Sequence, residues 1–106
     1  MSLQNQFYIV LFAHFIISLQ NTLEFKKYSG SFESEIGQMK LTIVHRGDSL
    51  FVQASGNPQF QIFPKKGHNF FGKAIEIDLN FHVENGLVEG ITAIRMGKKF
   101  EFKKLH

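Results

Sequence analysis

The sequence predicts an all-β domain, an antiparallel up-and-down meander of about seven to eight strands that curls into a barrel or a half-open sandwich. Three observations carry this prediction. Apolar and polar residues alternate in short runs, turn residues recur roughly every 8–12 residues, and 13 of the 106 residues are Phe, which favours half-buried sheet surfaces. A chain of this length forms one domain with one small core.

The β region opens with strands that are separated by turns containing Gly or Pro. An alternating run over residues 39–44 precedes a predicted turn at residues 45–49. Strands restart at residues 50–52, 60–63 and 70–71. Because the connections between these runs are short, neighbouring strands are expected to be antiparallel.

The clearest strand signal is the period-two run over residues 75–84. Every second residue from the start of this run is apolar and the residues between are polar, so the run predicts one buried and one solvated face. Asn85 and Gly86 then give a strong hairpin signal. Residues 87–95 are predicted to return as a strand, and a last strand at 99–103 follows one more turn.

A separate hydrophobic segment, residues 1–22, precedes the predicted β domain at residues 23–106. Its core, residues 7–19, is nearly all apolar but shorter than the roughly 20 residues that a membrane helix needs. It matches the apolar part of an export signal in length, yet it lacks the basic start and the small-residue cleavage site. A degenerate export signal, a buried helix or strand, and a remnant of a preceding domain all stay open. We favour a hydrophobic helix that packs on the sheet or on a second copy of the chain.

The charge pattern argues against a nucleic-acid partner. The net charge is +3, and most of the lysines occur as doublets along the chain, where they suit turns and edge strands. Acidic residues are interleaved with them, and only two Arg, the usual readers of phosphate, are present. We therefore expect no nucleic-acid partner, and membrane contact only through residues 7–19.

The chain lacks the sequence patterns of the common catalytic and cofactor sites. It has no Cys, no Ser followed three residues later by Lys, no nucleophile elbow and no Gly-rich phosphate loop. His45 and His68 are predicted to lie in turns and His82 on the solvated face of its strand, and no two of the five His have a local metal-ligand spacing. His14 lies in the apolar segment, where a satisfied buried side chain is the simpler interpretation. We predict no catalytic residue, no metal and no cofactor.

Several short motifs occur in a characteristic order along residues 23–105. They are YSGSF at 28–32, GDSLFVQ at 47–53, GNPQFQIFP at 56–64, the Phe pair at 70–71, the strand at 77–81, NGLV at 85–88, and Gly97 before the last strand. This order resembles the small all-β domain, of undetermined function, at the C-terminus of many bacterial serine hydrolases related to class C β-lactamases and penicillin-binding proteins.

The resemblance implies an antiparallel, lipocalin-like barrel and an extracytoplasmic setting, periplasmic or secreted, in a bacterium. It does not imply catalysis, because in that family the chemistry belongs to the preceding hydrolase domain. The partner that it implies is such a hydrolase domain, and a second copy of this chain is the alternative.

Nine apolar residues are candidates for a docking surface or a pocket. They are Phe51, Phe60, Ile62, Phe63, Phe70, Phe71, Phe81, Phe100 and Phe102. They could line a ligand cavity or fill a solid core, and a small barrel is more often filled by its own side chains. Residues 60–63 and 70–71 place apolar side chains on both strand faces, so we expect part of this sheet to need a cover.

Three functional hypotheses follow from these observations. The leading one is a non-catalytic accessory or interaction domain that docks a partner through apolar strand faces. The alternative is a small lipocalin-like carrier of a hydrophobic ligand, which an apolar cavity of a few hundred Å³, on the order of the volume in known ligand sites, would favour. An enzyme would require His45, His68 or His82 to meet carboxylates in one cleft.

Overall fold

The protein folds as eight β-strands preceded by a short 3₁₀ helix, Lys26–Tyr28. The computed structural model describes residues 24–36 and 38–105, so the predictions for residues 1–22, His14 and His106 lie outside the described part. The strands are β1 (Gly30–Ser34), β2 (Lys40–Arg46), β3 (Ser49–Ala54), β4 (Phe60–Pro64), β5 (Asn69–Gly72), β6 (Ile77–Glu84), β7 (Leu87–Arg95) and β8 (Lys98–Lys104). In the described residues, no helix has the length and apolar character needed to cross a bilayer.

The strands form a closed antiparallel barrel in which each strand pairs with its neighbours in sequence. The barrel closes where β1 pairs with β8, with Phe32 opposite Lys104 and Ser34 opposite Phe102. This confirms the predicted all-β, up-and-down architecture in its closed form rather than as a half-open sandwich. Closure leaves no unpaired sheet edge.

Two predicted strand boundaries are wrong. β2 continues through Arg46, so His45 lies in a strand and the turn is confined to residues 47–48. β6 begins at Ile77 rather than Ile75, because residues 73–76 form a turn. This turn folds back so closely that a Cβ on Gly72 would lie 2.5 Å from the carbonyl oxygen of Ile75. Because this is shorter than an ordinary contact of a Cβ atom, the position requires glycine.

An aromatic cluster plugs one end of the barrel. Phe25 and Tyr28, just before β1, are buried against Phe70 with ring centroids 5.5 and 5.0 Å away, and Tyr28 lies 4.7 Å from the ring of Phe81. The ring of Phe32 lies 6.2 Å from that of Phe81. These edge-on and tilted arrangements are the favoured geometries for aromatic pairs. The chain therefore closes this end of the barrel with its own side chains.

The two ends of the barrel carry different loops. The plugged end receives the chain before β1 and the turns at residues 47–48, 65–68 and 85–86. The opposite, open end carries the connections after the odd-numbered strands, at residues 35–39, 55–59, 73–76 and 96–97. Buried aliphatic side chains fill the middle of the barrel between the two ends; they are Leu50, Ile62, Leu79 and Ile91.

Gly90 is required by the close approach of β7 and β8. The pairing register shifts beside it, between His82 and Val83, and a Cβ on Gly90 would lie 2.6 Å from the carbonyl oxygen of Phe102. We expect Gly90→Ala to lower the free energy of unfolding by about 1–3 kcal/mol, as overpacking does. Urea denaturation measures this loss, and Glu89→Ala, at the exposed neighbouring position, should stay within about 0.5 kcal/mol of the wild type. Equal stability of the two variants would show that the strands separate easily here.

Candidate functional site

The open end of the barrel leads into an apolar cavity of about 370 Å³. Its floor is built from buried side chains of four strands, namely Leu41, Val52, Ala93 and Phe102. Phe60, on β4, adds an aromatic wall. The period-two alternation of each strand brings these side chains inward, and the filled middle of the barrel ends the cavity below them. The result is a cup that opens at this end of the barrel.

The rim of this cup carries several exposed apolar side chains. Six large apolar side chains in the described residues are strongly exposed, and four of them belong to the open end: Ile36 (92%), Met39 (49%), Met96 (89%) and Phe100 (43%). Met39 and Phe100 also line the cavity. Such clustering of exposed apolar side chains is typical of a binding site rather than of ordinary surface.

The nine candidate residues from the sequence separate into three groups. Phe60, Phe100 and Phe102 line the cavity. Ile62, Phe70 and Phe81 are buried in the core below it. The third group faces outward from β3, β4 and β5; it consists of Phe51, Phe63 and Phe71. Sequence reasoning therefore found residues of the cavity, the core and the outer surface without separating them.

Sequence reasoning missed the smaller residues of the cavity. Val52, Ala54 and Ala93 line it, as does Arg95 at the rim. Alternation along β3 and β7 could have placed them on the inward face, but none of them stands out by residue type. The cavity exists at this end because Ala54 and Ala93 are small where the plugged end has Phe and Tyr.

The three outward aromatic side chains form a second apolar surface, which we call the outer aromatic face. Phe63 and Phe71 pair across β4 and β5 with ring centroids 5.7 Å apart. The guanidinium of Arg46 lies 4.4 Å from the ring centre of Phe51, and the Lys73 ammonium lies 4.5 Å from that of Phe63. Arg46 also donates a hydrogen bond to the side-chain oxygen of Gln59. Cations over ring faces partly cover this surface.

The three histidines considered for chemistry make different hydrogen-bond contacts, although His68 and His82 border one surface hollow. His68 lies in a turn as predicted, and its Nδ1 is 2.6 Å from the Tyr28 hydroxyl. His45 buries its Nε2 without a hydrogen-bond partner in the described part of the chain. Over residues 24–36 and 38–105, no group of three or more His, Cys, Asp or Glu could hold a metal ion.

His82 belongs to a hydrogen-bonded chain on the outside of the barrel. Its Nε2 lies 2.6 Å from Thr92 Oγ1, and Thr92 donates to the Glu101 carboxylate at 2.8 Å. His82 also borders a surface hollow of about 400 Å³ that His68, Glu84 and Glu89 line as well, so two of the three histidines meet carboxylates in one hollow. None of these residues lines the apolar cup. The carboxylate of Glu101 and the imidazole of His82 therefore lie on a different surface from the cavity.

Tyr28 makes the stability of the plugged end depend on pH. Burial raises the pKa of the Tyr28 hydroxyl above its ordinary value, and the nearby carboxylate of Glu24 raises it further. The folded state thus holds this proton more tightly than the unfolded state does. The resulting stability is fully present below tyrosine's ordinary pKa of about 10, and it is lost as the pH rises through the raised value.

Tyr28→Phe is therefore expected to reduce the loss of thermal stability in alkali. The variant has no phenol to ionise at the plug, so its Tm should fall less steeply than that of the wild type between about pH 9 and pH 11. Both proteins share all lysines, so the difference between their two Tm profiles isolates Tyr28. Parallel profiles would show that the folded and unfolded chains ionise this hydroxyl equally.

Together, the closed meander, its plugged end and its apolar cup define a small all-β barrel domain with a concave apolar site. The chain belongs to the family described as a domain of unknown function, DUF3471, whose model matches residues 18–106. The prediction of a small all-β domain of undetermined function is confirmed at this level. No curated protein matches the chain, and no solved structure matches it.

Proposed function

We propose that this domain is a non-catalytic binding domain that takes a small hydrophobic ligand into the cup at the open end of its barrel. The observation that carries the proposal is the cavity itself, about 370 Å³ and lined mainly by apolar side chains. Ligand sites in proteins have volumes of roughly 300–1,000 Å³, so this cup suits a ligand at the small end of that range. The exposed apolar rim gives such a ligand an entry.

The apolar lining also supports a favourable binding energy. Each buried methylene contributes about 0.8 kcal/mol to the free energy of binding. An alkyl chain of several carbons therefore offsets part of the entropy that is lost on binding. The floor side chains Leu41, Val52 and Phe102 are held by neighbouring strands on both sides, so the site exists before the ligand arrives. A preformed site lowers the cost of ordering on binding.

Titration calorimetry with octan-1-ol tests this function. We expect saturable binding of one molecule per chain, with a negative heat-capacity change from the burial of apolar surface. Butan-1-ol, which has half the number of carbons, should bind more weakly by several methylene contributions. Absence of saturable binding for both alcohols would contradict a ligand-binding cup.

The outer aromatic face supports a second candidate function, an accessory domain that docks a protein partner. Phe63 and Phe71 are only half-buried, and the cations Arg46 and Lys73 next to this face suit an apolar partner surface bearing carboxylates. We propose that this partner is a serine-hydrolase domain outside the bacterial cytoplasm, and this choice is based only on the order in which the sequence motifs occur. The alternative partner is a second copy of the chain.

Sedimentation equilibrium separates these two partners. If the partner is a second copy, the wild type should dimerise with rising concentration, and Phe71→Ser should weaken the dimer. Leu87→Ser, at an exposed position in β7 outside this face, is the matched control and should leave it unchanged. If the wild-type chain stays monomeric, self-association is contradicted. The docking partner would then be a different protein.

A further inference from the structure

Two cations stand opposite each other at the rim of the cup. Arg95, the last residue of β7, pairs with Lys98, the first residue of β8. The next inward pair on the same face is Ala93 with Phe100, and both of these line the cavity. Because side chains alternate along a strand, Arg95 and Lys98 share the cavity face with that pair. Arg95 itself lines the cavity.

Neither cation has a carboxylate partner in the described residues. The ion pairs there join Lys65 with Asp78 and His82 with Glu101, and no hydrogen bond from the Arg95 or Lys98 side chain occurs within residues 24–36 and 38–105. Like charges directly opposite each other on two strands destabilise the pairing. An anion placed between them would remove this repulsion and would receive charge-assisted hydrogen bonds.

The apolar cup limits what can be attached to that anion. If each non-hydrogen group occupies about 30 Å³, as a water molecule does in the liquid, 370 Å³ holds on the order of twelve such groups. A purely polar anion would leave the floor side chains without apolar contacts. A neutral apolar molecule would form no hydrogen bond with either cation.

We propose that the ligand of the cup is an amphiphile, with an alkyl or similar apolar tail of on the order of ten non-hydrogen atoms and an anionic head held by Arg95 and Lys98. This inference rests on the proposed ligand-binding function and names its ligand class. Arg95 offers a planar set of donors that suits a carboxylate, and Lys98 adds a second positive charge across the strand pair. The tail lies over the side chains of the floor, and the head stays at the solvated rim.

Calorimetry with two probes of equal chain length tests the head group. Octanoate should bind the wild-type chain about tenfold more tightly than octan-1-ol, because its charged head gains hydrogen bonds at the rim. The variant Arg95→Gln/Lys98→Gln should lose this preference and bind the two probes with equal affinity. Lys99→Gln removes one positive charge from the outward face of β8 and should keep the preference.

The outcomes separate this inference from the proposed function. If octan-1-ol binds the wild type as tightly as octanoate, or if the double variant keeps the preference for octanoate, the anionic head is wrong while the apolar cup stands. If neither probe binds, the ligand-binding function fails and the head-group assignment fails with it.

A second arm identifies the source of the amphiphile. Vesicles of about one-third phosphatidylglycerol and two-thirds phosphatidylcholine present anionic lipid heads within a bilayer. Such anionic membrane surfaces attract basic protein segments. Co-sedimentation with these vesicles that is lost in the double variant would identify a membrane lipid as the source. Octanoate binding without co-sedimentation would identify a free amphiphile.

Discussion

Replacing Ala54 with Trp is expected to block the cup. Ala54 ends β3 on the inward face, opposite Leu41, and its side chain lines the cavity. A Trp side chain there would occupy the space of about three ligand methylenes, a loss of roughly 2.4 kcal/mol or about fiftyfold in the affinity for octan-1-ol. Titration calorimetry measures this loss.

The preceding residue provides the matched control. Gln53 is exposed on the outside of the same strand, so Gln53→Trp adds the same side chain without entering the cavity. We expect it to bind octan-1-ol as the wild type does. Equal loss of affinity in both variants would mean that the alcohol does not bind inside the barrel, and equal retention would carry the same meaning.

Phe70→Ala is expected to have the largest effect on stability. Phe70 is buried, and its ring lies against Phe25, Tyr28 and Phe81 at centroid distances of 5.0–5.5 Å. Removing it leaves a void at the plugged end that the closed barrel cannot fill, so the free energy of unfolding should fall by about 3–5 kcal/mol. Urea denaturation gives this difference from the shift in midpoint.

Phe71, the next residue, provides a control with the same type of side chain in a different packing environment. It faces outward and is only half-buried, so Phe71→Ala should cost about 1 kcal/mol, which is typical of ordinary substitutions.

Total stabilities of small domains are about 5–15 kcal/mol, so Phe70→Ala could fall below the folding threshold. Phe70→Leu, which keeps most of the volume, should then give a measurable loss below about 1.5 kcal/mol. Equal costs for the alanine variants at positions 70 and 71 would contradict the aromatic plug.

The strands of this barrel were largely predictable from local patterns. The hairpin at Asn85 and Gly86 marked the end of β6 and the start of β7, and the observed β7 coincides with the predicted strand at residues 87–95. Short connections then required an antiparallel meander. The alternation at Ile75 misled the prediction, because its apolar side chain lines the cavity from a turn rather than from a strand.

The site was less predictable than the fold, because the sequence does not say which end of a barrel is filled. The run FQIF at residues 60–63 shows that Phe60 and Phe63 lie on opposite faces, but not which of them points inward. That choice depends on how β4 pairs with β3 and β5. The plug depends on Phe25 and Tyr28, which precede the first strand and carry no strand signal of their own.

The rim cations illustrate the same limit. Arg95 and Lys98 flank the turn between β7 and β8, where basic residues are ordinarily read as solvated. Only the register of β7 against β8 places them opposite each other, and the small side chains of Ala54 and Ala93 leave room for a ligand beneath them. Tertiary arrangement, not residue type, distinguishes them from the other lysines.

The location of bound octan-1-ol decides between the cup and the outer aromatic face. Nuclear Overhauser contacts between the alcohol and the isotope-labelled chain give that location. We predict contacts from the alkyl chain to the methyl groups of Leu41, Val52 and Ala93, at the floor of the cup. Contacts confined to Phe63 and Phe71, on the outside of the barrel, would contradict a ligand site within it.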